Sequence, residues 1–144
     1  MKKVIIRNFK YGYRPHEEKV LEAVGKNPSI LKRIKMGRMG SMKMRVLHLS
    51  DQLNLEFEGN NAHKFASIEL RPKGIIVHLQ KGIYRTAWLI PFYQLSIFKT
   101  DFWTIHGQGL KVQLYDEKWR NKDFIKKLQN KLSEYQALNQ FPLN

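Results

Sequence analysis

The chain has 144 residues, 42% hydrophobic and 26% charged, with 26 basic against 12 acidic residues and a formal net charge of +14. That length suits one domain with its own core, and the composition is too apolar for a disordered chain. There is no cysteine, which excludes disulfides, thiolate metal sites and a thiol nucleophile, and fits a reducing cytoplasm.

The opening stretch, Met1-Lys2-Lys3-Val4-Ile5-Ile6-Arg7, has too few consecutive apolar residues for a signal peptide. Phe9, Tyr11 and Tyr13 alternate with Lys10 and Gly12, which is the period of a strand. Pro15, Glu17 and Glu18 then suit the first turn of a helix, where a missing N–H costs nothing and negative charge meets the helix dipole. Val20, Leu21 and Val24 form its apolar stripe, and Gly25 its stop. Ser29 can cap a second short helix, with Ile30, Leu31 and Ile34 inside and Lys32, Arg33 and Lys35 wet. Glycine and serine over 37–41 interrupt regular structure.

From Met42 the pattern turns to strands. Leu53, Leu55 and Phe57 alternate with Asn54, Glu56 and Glu58, which predicts a half-buried strand before the turn residues Gly59-Asn60-Asn61. A strand over 65–70 leads to the turn Pro72-Lys73-Gly74, and β-branched residues mark a strand over 75–79. Lys81-Gly82 connects it to a strand over 83–90 that Pro91 ends. Strands over 95–98, 102–105 and 110–115 complete the set, the last two joined by His106-Gly107-Gln108-Gly109. The tail changes period: Ile125, Leu128, Leu132 and Tyr135 share one helical face. Asn121 stands at the cap, Asp123 in the first turn, and the helix ends near Leu138. The longest apolar run, 87–93, contains Pro91, and a membrane-spanning helix needs about 20 such residues, so no transmembrane segment is expected.

The expectation is an α+β, mainly β, single domain over 1–144. A basic, partly helical N-terminal extension occupies 1–42; a barrel-like core and a C-terminal amphipathic helix occupy 43–144. Charge follows that division. Residues 1–50 hold 13 basic and 3 acidic residues, whereas 51–144 hold 13 and 9.

The segment 65–138 resembles the bacterial branch of pleckstrin-homology-like domains, a group that includes GRAM-like members. The resemblance lies in element order: a strand, a Lys-Gly turn, a strand ending in Trp88-Leu89-Ile90-Pro91-Phe92, and three short strands. A closing helix begins Asn121-Lys122-Asp123-Phe124-Ile125-Lys126-Lys127-Leu128. The resemblance implies a partly open antiparallel barrel plugged at one end by the C-terminal helix. Phosphoinositide-binding members use basic residues around an early strand–turn–strand, and the matching region here offers Arg71, Lys73, Lys81 and Arg85.

Catalytic patterns are missing from the sequence. His16, His48, His63, His78 and His106 form no pair at metal-ligand spacing, although His48 and His78 fall in expected strands that can face each other. Glu56 and Glu58 lie on the wet side of their expected strand. No serine sits in a Gly-x-Ser-x-Gly elbow, and Gly107-Gln108-Gly109 lacks the third glycine of a dinucleotide loop. The expectation is therefore a non-catalytic protein with no metal and no cofactor.

Binding is where the sequence offers candidates. Lys32, Arg33, Lys35, Arg38, Lys43 and Arg45 interleave with Met36, Met39, Met42 and Met44. Basic heads beside flexible apolar stems suit an anionic membrane surface; the plainer reading makes the methionines core filler and the charges a solvated rim. Arg7, Phe9, Lys10, Tyr11, Tyr13 and Arg14 offer cations for phosphates and rings for bases, or an edge strand with a wet basic face. The expected function is a cytoplasmic binding module, peripheral at a membrane of anionic lipid or held by a protein partner. The alternative is nucleic-acid binding through the N-terminal region.

Overall fold

Ile75, Val77 and Leu79 alternate with Ile76, His78 and Gln80, and a period of two sends these sets to opposite faces of a strand. The same logic builds most of the molecule. In a computed structural model, described over residues 6–9, 24–25, 39–54, 63–82 and 84–138, eight strands form one antiparallel sheet. They are β1 (Ile6–Phe9), β2 (Met44–Leu49), β3 (Lys64–Arg71), β4 (Gly74–Lys81), β5 (Tyr84–Pro91), β6 (Ser96–Lys99), β7 (Trp103–Gly107) and β8 (Leu110–Tyr115). Their spatial order is β1-β5-β4-β3-β2-β8-β7-β6. Two meanders, β2 to β5 and β6 to β8, are thus joined through the β2–β8 pairing. Among the described residues β1 and β6 do not pair, so the sheet stays open.

Tight turns fix the registers. Arg71↔Gly74, Lys81↔Tyr84 and Gly107↔Leu110 are each terminal pairs, leaving two-residue loops. The last loop needs positive φ at both positions; Gln108 has φ 57 and Gly109 φ 80. A glutamine there is uncommon, and its side chain accounts for it. Buried Gln108 accepts the Trp88 indole N–H at 2.9 Å and donates to the Leu89 carbonyl and to Gln94 Oε1, both at 2.8 Å. Gly107 permits close packing, since a Cβ there would stand 2.7 Å from Ile90 Cγ2.

The inner face carries the core: Met44, Ala66, Ile68, Leu70, Ile75, Val77, Leu79, Trp88, Ile90, Ile105, Val112 and Leu114 are all buried. The helix α2 (Lys122–Leu138) packs against it through Phe124, Ile125, Leu128 and Leu132, while the Tyr135 ring lies 5.6 Å from Phe92. Of the helical face read from the sequence, Ile125, Leu128 and Leu132 are buried and Tyr135 packs alongside them. Full burial of each such aliphatic side chain contributes about 1.5–3 kcal/mol.

Two expectations are corrected. The strand through Leu53 is instead a single helical turn, α1 (Asp51–Asn54). The Leu53 N–H donates to the Ser50 carbonyl at 2.9 Å, and the leucine is wholly buried. One turn of helix buries Leu53 as well as a strand would, and periodicity over a few residues does not separate the two. Leu55, Glu56, Phe57 and Glu58 lie outside the described residues. Second, Asn121 stands at the start of α2, its carbonyl accepting from Ile125 N–H at 2.9 Å. Its side chain does not cap that helix; Oδ1 accepts the Met42 N–H at 2.7 Å instead.

Parts of the N-terminal region are built into the sheet. β1 pairs with β5 from Ile6↔Trp88 to Phe9↔Arg85. Of the helix expected to stop at Gly25, only Val24 and Gly25 are described, and Gly25 has φ 85. Lys73 N–H donates to the Val24 carbonyl at 2.9 Å, and buried Arg71 donates to the Gly25 carbonyl at 2.9 Å. Met39 to Ser41 run beside β3, with Leu70 N–H to Met39 O at 2.7 Å and Ser41 N–H to Ile68 O at 2.8 Å. The helix expected after Ser29 lies outside the described residues.

Candidate anion-binding groove

On β3, Ala66, Ile68 and Leu70 face the core, so Phe65, Ser67 and Glu69 occupy the outer parity. On β8, Val112 and Leu114 face inward, leaving Lys111, Gln113 and Tyr115 outside. Between them, β2 buries Met44 and exposes Arg45. The register aligns these outer residues. Arg45 is directly opposite Phe65 on one side and Tyr115 on the other, and directly opposed residues share a face. Phe65 is opposite Gln80, and Gln80 is opposite Arg85. The outer face thus carries the row Arg85, Gln80, Phe65, Arg45, Tyr115, about 19 Å along the sheet at ~4.8 Å per strand. Phe9 occupies the register position opposite Arg85.

Over the β3–β2–β8 part of this row lies a groove of about 540 Å³, lined by Lys43, Arg45, Phe65, Tyr115, Glu117 and Arg120. A smaller hollow of about 170 Å³ adjoins it, sharing Lys43 and Phe65 and reaching Ser67, His78 and Arg85. The aromatic rings are presented, not packed away: Phe65 is 39% exposed and Tyr115 46%. Among the described lining residues Glu117 is the one carboxylate, against three cations.

A buried polar hub underlies the groove. Asp116, 3% exposed, accepts from the Asn121 N–H and Nδ2, each at 2.9 Å, and from Trp103 Nε1 at 3.2 Å. The Asn121 link to Met42 completes the hub. Trp119 stands edge-on to Trp103 at 5.5 Å, and Lys99 Nζ lies 4.7 Å from the Trp119 ring centre. Above the hub, Arg120 reaches the Lys43 carbonyl at 3.2 Å.

The six basic residues proposed from the sequence divide. Lys43 and Arg45 line the groove, whereas Lys32, Arg33, Lys35 and Arg38 lie outside the described residues. Met39 packs against the core and Met44 is within it, while Met42 is 42% exposed. Of the N-terminal set, Arg7 and Phe9 fall in β1, and Lys10, Tyr11, Tyr13 and Arg14 lie outside the described residues. Arg120, Phe65 and Tyr115 were not singled out by sequence reasoning. Two of them were detectable in principle, as aromatics on the polar parity of a strand.

The four cations implied by the family resemblance do not converge. Arg71 and Lys73 stand at one end of β4 and Lys81 and Arg85 at the other, separated by a strand of about 25 Å. Arg71 is buried and ion-paired with Glu69, whose second oxygen lies 2.9 Å from His78 Nε2. Burial alone would raise the Glu69 carboxyl; hydrogen bonds from His78 and Arg71 and their charge outweigh it and hold it below the usual carboxylate range. Lys81 is also buried, and faces Lys64 in the register. Burial, and then the Lys81 charge, lower the Lys64 ammonium from its ordinary value.

The described histidines are dispersed, and His16 lies outside the described residues. His48 on β2 is opposite Gln113 on β8, far along the sheet from His78, which is opposite Ser67. His106 meets the Phe98 ring edge-on at 5.3 Å. No cluster of three or more His, Asp or Glu able to hold a metal occurs among the described residues, and no helix among them is long and apolar enough to cross a membrane. Comparison with family models, curated proteins and solved structures finds no match for this chain.

Proposed function

We propose that this chain is a non-catalytic binding module of pleckstrin-homology-like architecture that takes a phosphate-bearing polyanion on the outer face of β3, β2 and β8. The architectural part is supported by two meanders that meet through their first and last strands and by a C-terminal helix buried against the core. The observation that carries the binding part is the groove, where Lys43, Arg45 and Arg120 converge around two exposed rings. Its volume lies within the range of small-ligand clefts, about 300–1,000 Å³. Three cations against one carboxylate make an anion the matching charge, and the +14 of the chain favours its approach. The ligand surface is therefore the sheet, with the Lys32–Arg38 stretch an additional electrostatic attraction.

The test is retention on immobilised heparin, eluted with salt. A Lys43→Ala/Arg45→Ala/Arg120→Ala variant is expected to elute well before a charge-matched Lys73→Ala/Lys122→Ala/Lys126→Ala control, whose lysines are exposed elsewhere. Binding that neutralises several phosphates falls steeply with salt, roughly one power of salt concentration per contact. Equal elution of the two variants would mean that net charge, and not this groove, holds the polyanion.

A further inference from the structure

The cations of this groove are interleaved with rings. Tyr115, Arg45 and Phe65 are consecutive across three adjacent strands, so the two rings stand about 10 Å apart with a guanidinium between them. Both rings are substantially exposed on a sheet whose other face is the core. Single exposed aromatics are common on protein surfaces, but two of them flanking a guanidinium in one cationic groove match a partner that has flat apolar faces as well as phosphates. A phosphate supplies none, whereas a nucleobase does.

The spacing restricts the form of that partner. Bases in a helical stack are about 3.4 Å apart, too close for two successive bases to reach both rings. A strand whose bases are splayed out fits, each base on its own aromatic, which is how single strands are commonly held. Arg45, between the rings, is placed for the intervening phosphate, while Lys43 and Arg120, side by side where β2 begins, add positive charge at one rim of the groove. A lipid headgroup fits less well, because it supplies phosphate but no flat aromatic face for the two rings. A duplex fits less well again, because its base faces are already stacked.

We infer that the groove is a single-stranded nucleic-acid site in which Phe65 and Tyr115 each stack a base and Arg45 contacts the phosphate between them. The inference rests on the reading of the groove as a polyanion site and specifies its ligand. Arg85 and Gln80 continue the row toward β1, which gives the strand a direction of travel across the sheet. Glu117 stands in the groove as the opposing charge, so Glu117→Gln tightens binding.

The experiment compares four probes on the unaltered full chain at physiological salt by fluorescence anisotropy and vesicle co-sedimentation. The first is an oligothymidylate of about 12 nucleotides, within the site sizes known for sheet-based single-strand binders. The others are an abasic strand of equal length and charge, a duplex of equal length, and vesicles of phosphatidylserine with phosphatidylcholine. The single strand is expected to bind about tenfold or more tightly than the abasic strand, the equivalent of one or two stacked bases. It is also expected to out-compete the duplex and the vesicles. Phe65→Ala and Tyr115→Ala each weaken oligothymidylate binding about tenfold with no change on the abasic strand, and Phe65→Trp restores it. Equal affinity for abasic and base-bearing strands overturns the stacking inference and leaves the polyanion reading intact. Preference for the vesicles overturns the inference in favour of a lipid ligand, and binding to none of the four overturns both readings.

Discussion

Replacing Asp116 by alanine removes one carboxylate and leaves three buried donors facing a cavity: the Trp103 indole N–H, the Asn121 backbone N–H and the Asn121 amide. Each buried donor deprived of its acceptor costs about 1–3 kcal/mol. Water entering the vacated space recovers part of that, so the expected loss is about 3–5 kcal/mol, a large share of a total stability of about 5–15 kcal/mol. With a urea m value of about 1.5 kcal/mol/M, the unfolding midpoint falls by about 2–3 M. Urea titration followed by tryptophan fluorescence measures this directly, since Trp103 is a member of the hub. The control is Asp123→Ala, an exposed acidic residue in the first turn of α2, which costs about 0.3–1 kcal/mol through the helix dipole. If Asp116→Ala lost no more than that control, the hub would be a coincidence of proximity and the account of how β8 is fastened to α2 would be wrong.

Gly107→Ala places a methyl 2.7 Å from Ile90 Cγ2 and should cost about 1–3 kcal/mol by overpacking. A Gly107→Ala/Ile90→Ala double variant should then lose measurably less than the sum of its parts in the same urea titration. The Glu69 carboxyl is held below its unfolded value by His78 and Arg71, so its contribution is full above that unfolded value and is lost as pH falls through the lower, folded one. Thermal midpoints recorded against pH should show a shallower acid limb for Glu69→Gln than for the parent chain, and an unchanged limb would refute the assignment.

The sheet was largely legible because its strands obey the period of two and its turns use residues that tolerate their backbone geometry. Lys81-Gly82 and Gly107-Gln108-Gly109 both mark hairpins at the positions read from the sequence, and the α2 stripe follows from its spacing of three and four. What failed was short or long-range. At Leu53 a single buried leucine is compatible with either period, and only the Ser50 hydrogen bond decides. Asn121 reads as a helix cap because that is its commonest local use; its actual acceptor role depends on Met42, 79 residues away. Gln108 gives no sign that it fastens Trp88, since the contact requires both hairpins to be folded. The groove was half legible for the same reason. Lys43 and Arg45 stood out as local charge, but Phe65, Tyr115 and Arg120 join them only through the β3–β2–β8 pairing.

That pairing also explains why the groove can be built firmly on a surface. Four of its residues are each next in sequence to a member of the hub: Lys43 follows Met42, Tyr115 and Glu117 flank Asp116, and Arg120 precedes Asn121. The hub fixes the backbone at all four places, so the outward side chains inherit its rigidity and a ligand need not order them. Side chains held in this way bind with less entropic loss than the same cations on a mobile tail. The two kinds of substitution differ in effect. Trimming an exposed groove residue, such as Tyr115, removes contact area without touching the hub. Opening the hub at Asp116 releases four groove positions at once, so affinity and stability must fall together there, although Asp116 itself meets no ligand.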